Sequence, residues 1–254
     1  MRRSLPWVLL LALLLAACAP LPPKNPLGQW APSPNHEPRR AQLIVLHFTD
    51  EGSVGESLNT LRTANSGGPV SAHYLIGEDG GIHQLVRDQD RAWHAGGGRW
   101  GTITDVNSAS IGIELDNDGD EDFAEAQITS LLVLLTDLTE RLKIPPSQVI
   151  GHEDMAPTRK IDPGPRFPWA RLAAAGFGLW PQTTLVDPPA SFDPWLALAA
   201  VGYPLEDRAA AVRAFHHHFR GMEGTELDTE DLRILHDLSS RMTGAGMPAT
   251  ISAP

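Results

Sequence analysis

Past residue 40 the chain alternates between short apolar runs of strand length and stretches with helical spacing of apolar positions. Gln42 to Thr49 is mostly apolar, as a strand buried on both faces would be, and it delivers His47 at its carboxyl end. Glu56 to Ala64 predicts a short helix capped by Ser53 and ended by Ser66-Gly67-Gly68-Pro69. Val70 to Gly77 and Ile82 to Val86 predict two strands, which Glu78-Asp79-Gly80-Gly81 joins as a hairpin. Ser110 to Leu115 repeats the strand pattern with a carboxylate, Glu114, among apolar neighbours. From Glu125 to Lys143 the residues Ile128, Leu131, Leu132, Leu135, Leu138 and Leu142 recur at helical spacing, and Pro145-Pro146 stops the helix. Gln148 to Gly151 predicts a further strand presenting His152, and Trp169 to Ala175 a short helix.

Both ends of the chain follow other patterns. Met1-Arg2-Arg3-Ser4 and the apolar stretch Leu5 to Ala17 have the charge and length of an export signal, too short to span a bilayer. Leu15-Ala16-Ala17-Cys18 resembles a bacterial lipobox, which implies lipidation of Cys18 after cleavage. Ala19 instead of Asp follows the cysteine, which favours the outer membrane. Ala19 to Arg40 is rich in Pro and reads as a tether. Towards the other end, Gly176 to Ser191 has linker composition. Three helices then follow: one capped by Asp193-Pro194 and running through Ala200, one from Glu206 to Arg220, and one capped by Asp228 or Thr229 and running to Met242. The expected division is a signal at 1–17, lipidated cysteine and tether at 18–40, a catalytic domain at 41–176, a linker at 177–191, a three-helix domain at 192–243 and a tail at 244–254. About fifty residues in three helices are marginal alone, so contact with the first domain is expected.

Composition narrows the partners. A formal charge of −11 over 254 residues argues against nucleic acid, and a hydrophobic content of 42% is ordinary for a folded monomer. Cys18 is the sole cysteine. Once it is lipidated, no thiol remains for a metal, so His, Asp and Glu must serve. His216-His217-His218 invites a metal reading, but consecutive helical residues point about 100° apart and cannot share one ion.

The chemistry concentrates in Gly151 to Gly164, where His152, Lys160 and Asp162 stand at short separations. A histidine after an apolar run and an aspartate returned by a Pro-containing loop can meet on one tetrahedral ion; a surface turn with a capping histidine is the plain alternative. His47 alone reads equally as a hydrogen-bonded core residue. Taken together, His47, His152 and Asp162 form a three-ligand set that leaves a fourth position for water, the arrangement of catalytic zinc. Glu114 would then act as general base, and Lys160 would face the developing oxyanion. Ala92 to Gly98 reads as a loop of small residues with an indole wall for a ligand.

The segments Ile44 to Thr49, Ser71 to Ile76, Trp93 to Gly96, Ile111 to Leu115 and His152 to Pro165 together resemble the zinc N-acetylmuramoyl-L-alanine amidases of amidase type 2. The resemblance covers about residues 41 to 176. It implies an α/β fold with a mixed central sheet flanked by helices, and one Zn2+ per chain on His47, His152 and Asp162. It further implies Glu114 and Lys160 as catalytic residues, substrate contacts from His73, Trp93, His94 and Ala95, and cleavage between the muramic acid lactoyl group and L-Ala. Asp162 stands where the phage and animal branch has a cysteine, and Ala72 where that branch has a catalytic tyrosine. Both features match the bacterial branch. The C-terminal helices resemble a peptidoglycan-binding domain, so peptidoglycan and muropeptides are the expected partners, met by a monomer anchored in the periplasm. A wall-sensing module without activity would lack a ligand or the base, whereas all five residues are present.

Overall fold

The computed structural model describes residues 25–38 and 41–242. The export signal and Cys18 lie outside the described residues. Strands β1 (Gln29–Trp30) and β2 (His36–Pro38) come first, followed by β3 (Leu43–Phe48) and helix α1 (Val54–Arg62). Next are the small hairpin β4 (Ala64–Asn65) and β5 (Gly68–Pro69), then β6 (Tyr74–Ile76), β7 (Ile82–Gln84) and β8 (Asp90–Ala92). Helix α2 (Val106–Ala109) runs into β9 (Ser110–Leu115), the long helix α3 (Glu125–Leu142) and β10 (Val149–Gly151). Helices α4 (His152–Met155), α5 (Trp169–Ala174), α6 (Pro194–Val201), α7 (Arg208–Arg220) and α8 (Thr229–Met242) complete the described chain.

The main sheet has the order β1-β7-β6-β9-β3-β10. Only the hairpin β6–β7 is antiparallel, so the sheet is mixed. Its central strands are buried on both faces, which explains the near-continuous apolar runs. Ile44 and Leu46 of β3 join Ile111, Ile113 and Leu115 of β9 against Ile128, Leu131, Leu134, Leu135 and Leu138 of α3. Leu43 and Val45 point to the opposite face, as strand periodicity demands. There they share one core with Leu198 of α6, Phe215 of α7 and Leu235 of α8. Each of these fully buried side chains contributes roughly 1.5–3 kcal/mol. The three-helix unit therefore packs against the sheet, the contact its small size leads one to expect. Leu179, Trp180 and Leu185 of the segment read as linker pack against the same core.

The boundary read at Ala41 needs correction. β1 pairs in parallel with β7, and β2 pairs antiparallel with β8, so part of the stretch read as tether belongs to the fold. Asn25 secures this entry: its backbone N–H donates to Gln84 Oε1 at 3.0 Å, and its amide donates to Asp137 Oδ2 at 2.9 Å. Strands of two and three residues carry no period to read.

Candidate metal centre and active site

Parallel pairing brings the carboxyl ends of β3, β9 and β10 to one edge of the sheet. His47 is in register with Glu114, and Leu46 with Gly151, the residue before His152. One strand thus sets a histidine beside a carboxylate, and the next ends one residue short of a second histidine. The loop that follows returns Asp162, whose carbonyl accepts from Glu153 N–H at 2.8 Å, and a cis Asp162–Pro163 bond ends it. Three side-chain atoms converge there. His47 Nδ1 lies 2.9 Å from His152 Nδ1 and 3.0 Å from Asp162 Oδ2, and His152 Nδ1 lies 2.9 Å from the same oxygen.

The surrounding hydrogen bonds decide where the ring protons sit. Ser110 Oγ–H donates to Val106 O at 2.6 Å, so its one proton is used. His94 Nε2, at 3.1 Å from that hydroxyl, must donate to it, which leaves His94 Nδ1 as an acceptor. His47 Nε2, 3.0 Å from His94 Nδ1, must then donate, and His47 Nδ1 keeps a lone pair. His152 Nε2 donates to Ala95 O at 2.9 Å, so its Nδ1 also keeps a lone pair. Burial, with His152 alongside, pulls the His47 imidazole down to about 4, in keeping with a neutral ring.

Two lone pairs and a carboxylate oxygen therefore face one another within 3.0 Å with no proton to share. All three residues are 5% exposed or less. Such a group repels itself unless a cation lies among its members. A tetrahedral ion with arms of 2.0–2.1 Å has ligand separations of about 3.3 Å, close to those seen here. The donor set of two neutral imidazoles and one carboxylate fits a divalent metal, with the far ring nitrogens fixed in the manner usual for metal-bound histidines.

A cavity of about 110 Å³ opens beside these residues and is lined also by Glu114 and Lys160. Glu114 is 8% exposed. Burial foremost, with Asp162 adding to it, raises its carboxyl well above the ordinary range, and Lys160 opposes the shift. The far wall comes from α1 and its flanks, where Glu51, Thr60 and Asn65 supply polar groups and Leu61 and Val70 apolar ones. Sequence reasoning did not single out these wall residues, because nothing in their spacing marks them.

The four residues expected to touch substrate divide differently. His73 is fully buried, with Nδ1 accepting from Gly112 N–H at 2.9 Å and Nε2 donating to Asp90 O at 3.0 Å. It is a core residue and does not line the cavity. Trp93 does not line the cavity either. His94 borders it but is committed to His47, and Ala95 holds His152 through its carbonyl. Asn107 Oδ1 supports both residues by accepting from their backbone N–H groups at 3.0 and 2.9 Å. Gly112 is required by packing, since a Cβ there would sit 2.4 Å from the His94 ring.

Comparison with known proteins agrees with this geometry. Residues 37–165 match the family model described as N-acetylmuramoyl-L-alanine amidase. The N-acetylmuramoyl-L-alanine amidase AmiD of Escherichia coli is 35% identical over 213 residues, an alignment covering 71% of this chain and 75% of AmiD. AmiD in complex with the substrate anhydro-N-acetylmuramic acid-L-Ala-D-gamma-Glu-L-Lys superposes with a TM-score of 0.71 and 34% identity, over 81% of this chain and 90% of that one. AmpDh3 from Pseudomonas aeruginosa in complex with anhydromuramic pentapeptide gives 0.70 and 32%, over 80% and 93%. With the family model spanning the strands that carry His47 and Glu114 and the start of α4 that carries His152, the chain belongs to the N-acetylmuramoyl-L-alanine amidase family.

Proposed function

We propose that the chain cleaves the amide between the muramic acid lactoyl group and L-Ala of peptidoglycan or muropeptides, with one zinc ion held by His47, His152 and Asp162. The observation that carries the metal reading is the convergence of two unprotonated Nδ1 atoms and one carboxylate oxygen beside Glu114. Zinc bound there supplies Lewis acidity towards the amide carbonyl and lowers the pKa of a water towards about 7. Glu114 accepts the proton of the attacking water and returns it to the leaving nitrogen of L-Ala, so that the C–N bond breaks and an acid and an amine form. Lys160, on the same cavity wall, stabilises negative charge on the carbonyl oxygen. Solved relatives holding anhydromuramic peptides support muropeptides as ligands.

The reading extends to location. Cys18 carries a lipid that holds a monomer at the periplasmic face of the outer membrane, and the C-terminal helices bind the wall. Among the described residues no helix is long and apolar enough to cross a membrane. The test is digestion of purified sacculi and of soluble muropeptides by the leaderless chain, with mass spectrometry of the products and metal analysis of the protein. Free stem peptides and about one zinc per chain are expected. Binding to sacculi without release of stem peptide would favour a non-catalytic sensor. Membrane fractionation of Cys18→Ala tests the anchor, which predicts a soluble product.

A further inference from the structure

The three consecutive histidines of α7 take no part in the chemistry above, yet all are 4% exposed or less. The helix turns each about 100° from the last, and each meets a different carboxylate. His216 Nε2 lies 2.8 Å from Asp231 Oδ2, within the helical unit. His217 Nδ1 lies 2.7 Å from Glu153 Oε2, and His218 Nδ1 lies 2.7 Å from Asp154 Oδ2. Glu153 and Asp154 directly follow His152.

These two carboxylates grip the loop that carries the ligands. Glu153 Oε1 accepts from Gly164 N–H at 3.1 Å, and Glu153 N–H donates to Asp162 O at 2.8 Å. One residue thus ties the His152 end of the loop to its Asp162 end. Asp154 Oδ2 also accepts from Gly151 N–H at 2.7 Å, immediately before His152, while Asp154 Oδ1 accepts from Tyr203 O–H at 2.6 Å. On the far side, His218 stacks on Trp169 at 3.7 Å between ring centroids, and His217 Nε2 lies 3.1 Å from Glu223 Oε2. Glu153 and Asp154 are 1% and 0% exposed, and a buried carboxylate that loses its partner must be reoriented or resolvated. Either movement pulls on the loop.

We propose that His217 and His218, with Tyr203, are positioning residues of the metal centre, and that the C-terminal helices are the outer support of the catalytic site as well as a neighbouring unit. The inference rests on the metal reading above. His216 is the internal control, because it forms the same kind of pair on the same helix without touching the 151–164 loop.

The experiment uses the leaderless full chain. Zinc affinity is measured by chelator competition, and kcat and KM are measured separately, for the parent, His217→Leu, His217→Asn, His216→Leu and Tyr203→Phe. His217→Leu is expected to weaken zinc binding by about tenfold or more, the scale on which supports of metal ligands act, and to lower kcat more than it raises KM. His217→Asn carries an amide N–H near the Nδ1 position and is expected to regain most of the affinity. His216→Leu is expected to lower the melting temperature while leaving zinc affinity within about twofold. Unchanged zinc affinity in His217→Leu would overturn the proposal, as would an equal loss in His216→Leu. If His217→Leu is not recovered folded, Tyr203→Phe decides: weaker zinc binding is expected, and parental affinity overturns it. A parent chain that takes up no zinc would overturn the metal reading itself, and this inference with it.

Discussion

Two buried histidine–carboxylate clusters stand among the described residues, and they differ in proton count. On α7 the three histidines face three separate carboxylates, so each pair can be joined by an N–H that one partner owns. At the sheet edge two histidines share one carboxylate oxygen, and their protons are committed to His94 and to the Ala95 carbonyl. Burial and residue type are alike in both. What separates a metal site from a set of structural pairs is therefore whether the lone pairs outnumber the protons available to fill them.

The sharpest way to break this comparison is to remove a ligand. His47→Ala should abolish metal uptake and lower amidase turnover by about 10³-fold or more, since such an ion supplies several kcal/mol. Chelator treatment of the parent followed by zinc readdition should reproduce the loss and then reverse it. Stoichiometric metal in His47→Ala would sink the distinction. Glu114→Gln comes next: a shape-preserving change that should keep metal and fold while reducing turnover by roughly 10² or more. Loss of metal in that variant would move Glu114 among the ligands. His73, engaged on both ring nitrogens by backbone groups, is no substitute base.

A smaller effect sharpens the proton argument itself. Gly112→Ala sets a methyl group against the His94 ring, 2.4 Å from its Cγ, and the ring must shift. That shift disturbs the relay from Ser110 through His94 to His47. Overpacking of this kind costs about 1–3 kcal/mol. Thermal denaturation should register that loss, and metal affinity should fall by about tenfold. Parental metal affinity in Gly112→Ala would mean that His47 does not need His94 to hold its tautomer.

Much of this was legible in the sequence where periodicity is strong. The apolar run of β3, the Gly-containing turn between β6 and β7, and the apolar spacing of α3 all announce themselves. His152 and Asp162 are readable because ten residues separate them in one motif. The rest depends on contacts between distant segments. His217 meets Glu153 across 64 positions, and nothing at either end marks the pair. The small glycine Gly112 and the hydroxyl of Ser110 look like ordinary strand residues until the His94 ring is laid against them. β1 escaped because two residues have no pattern; contact of the helices with the first domain follows from their small size, but apolar spacing in α7 does not say which residues cover it.

The least disruptive change tests the other half of the comparison. His216→Leu removes one member of a buried pair, but Asp231 keeps Arg220 Nη1 at 2.6 Å and Asp228 N–H at 2.7 Å, so its carboxylate is not orphaned. Leucine has similar bulk and lies where His216 packs over Gly224. The loss is thus held to about 1–2 kcal/mol, towards the low end for a hydrogen bond to a charged group, because two donors remain on Asp231. For a chain of this size that corresponds to a fall of roughly 2–8 °C in melting temperature. Amidase turnover should stay within about twofold of the parent, because Asp231 and His216 bond to nothing in the 151–164 loop. A turnover loss of about tenfold or more would show that pairs on α7 act together on the site, and the two clusters would have to be treated as one.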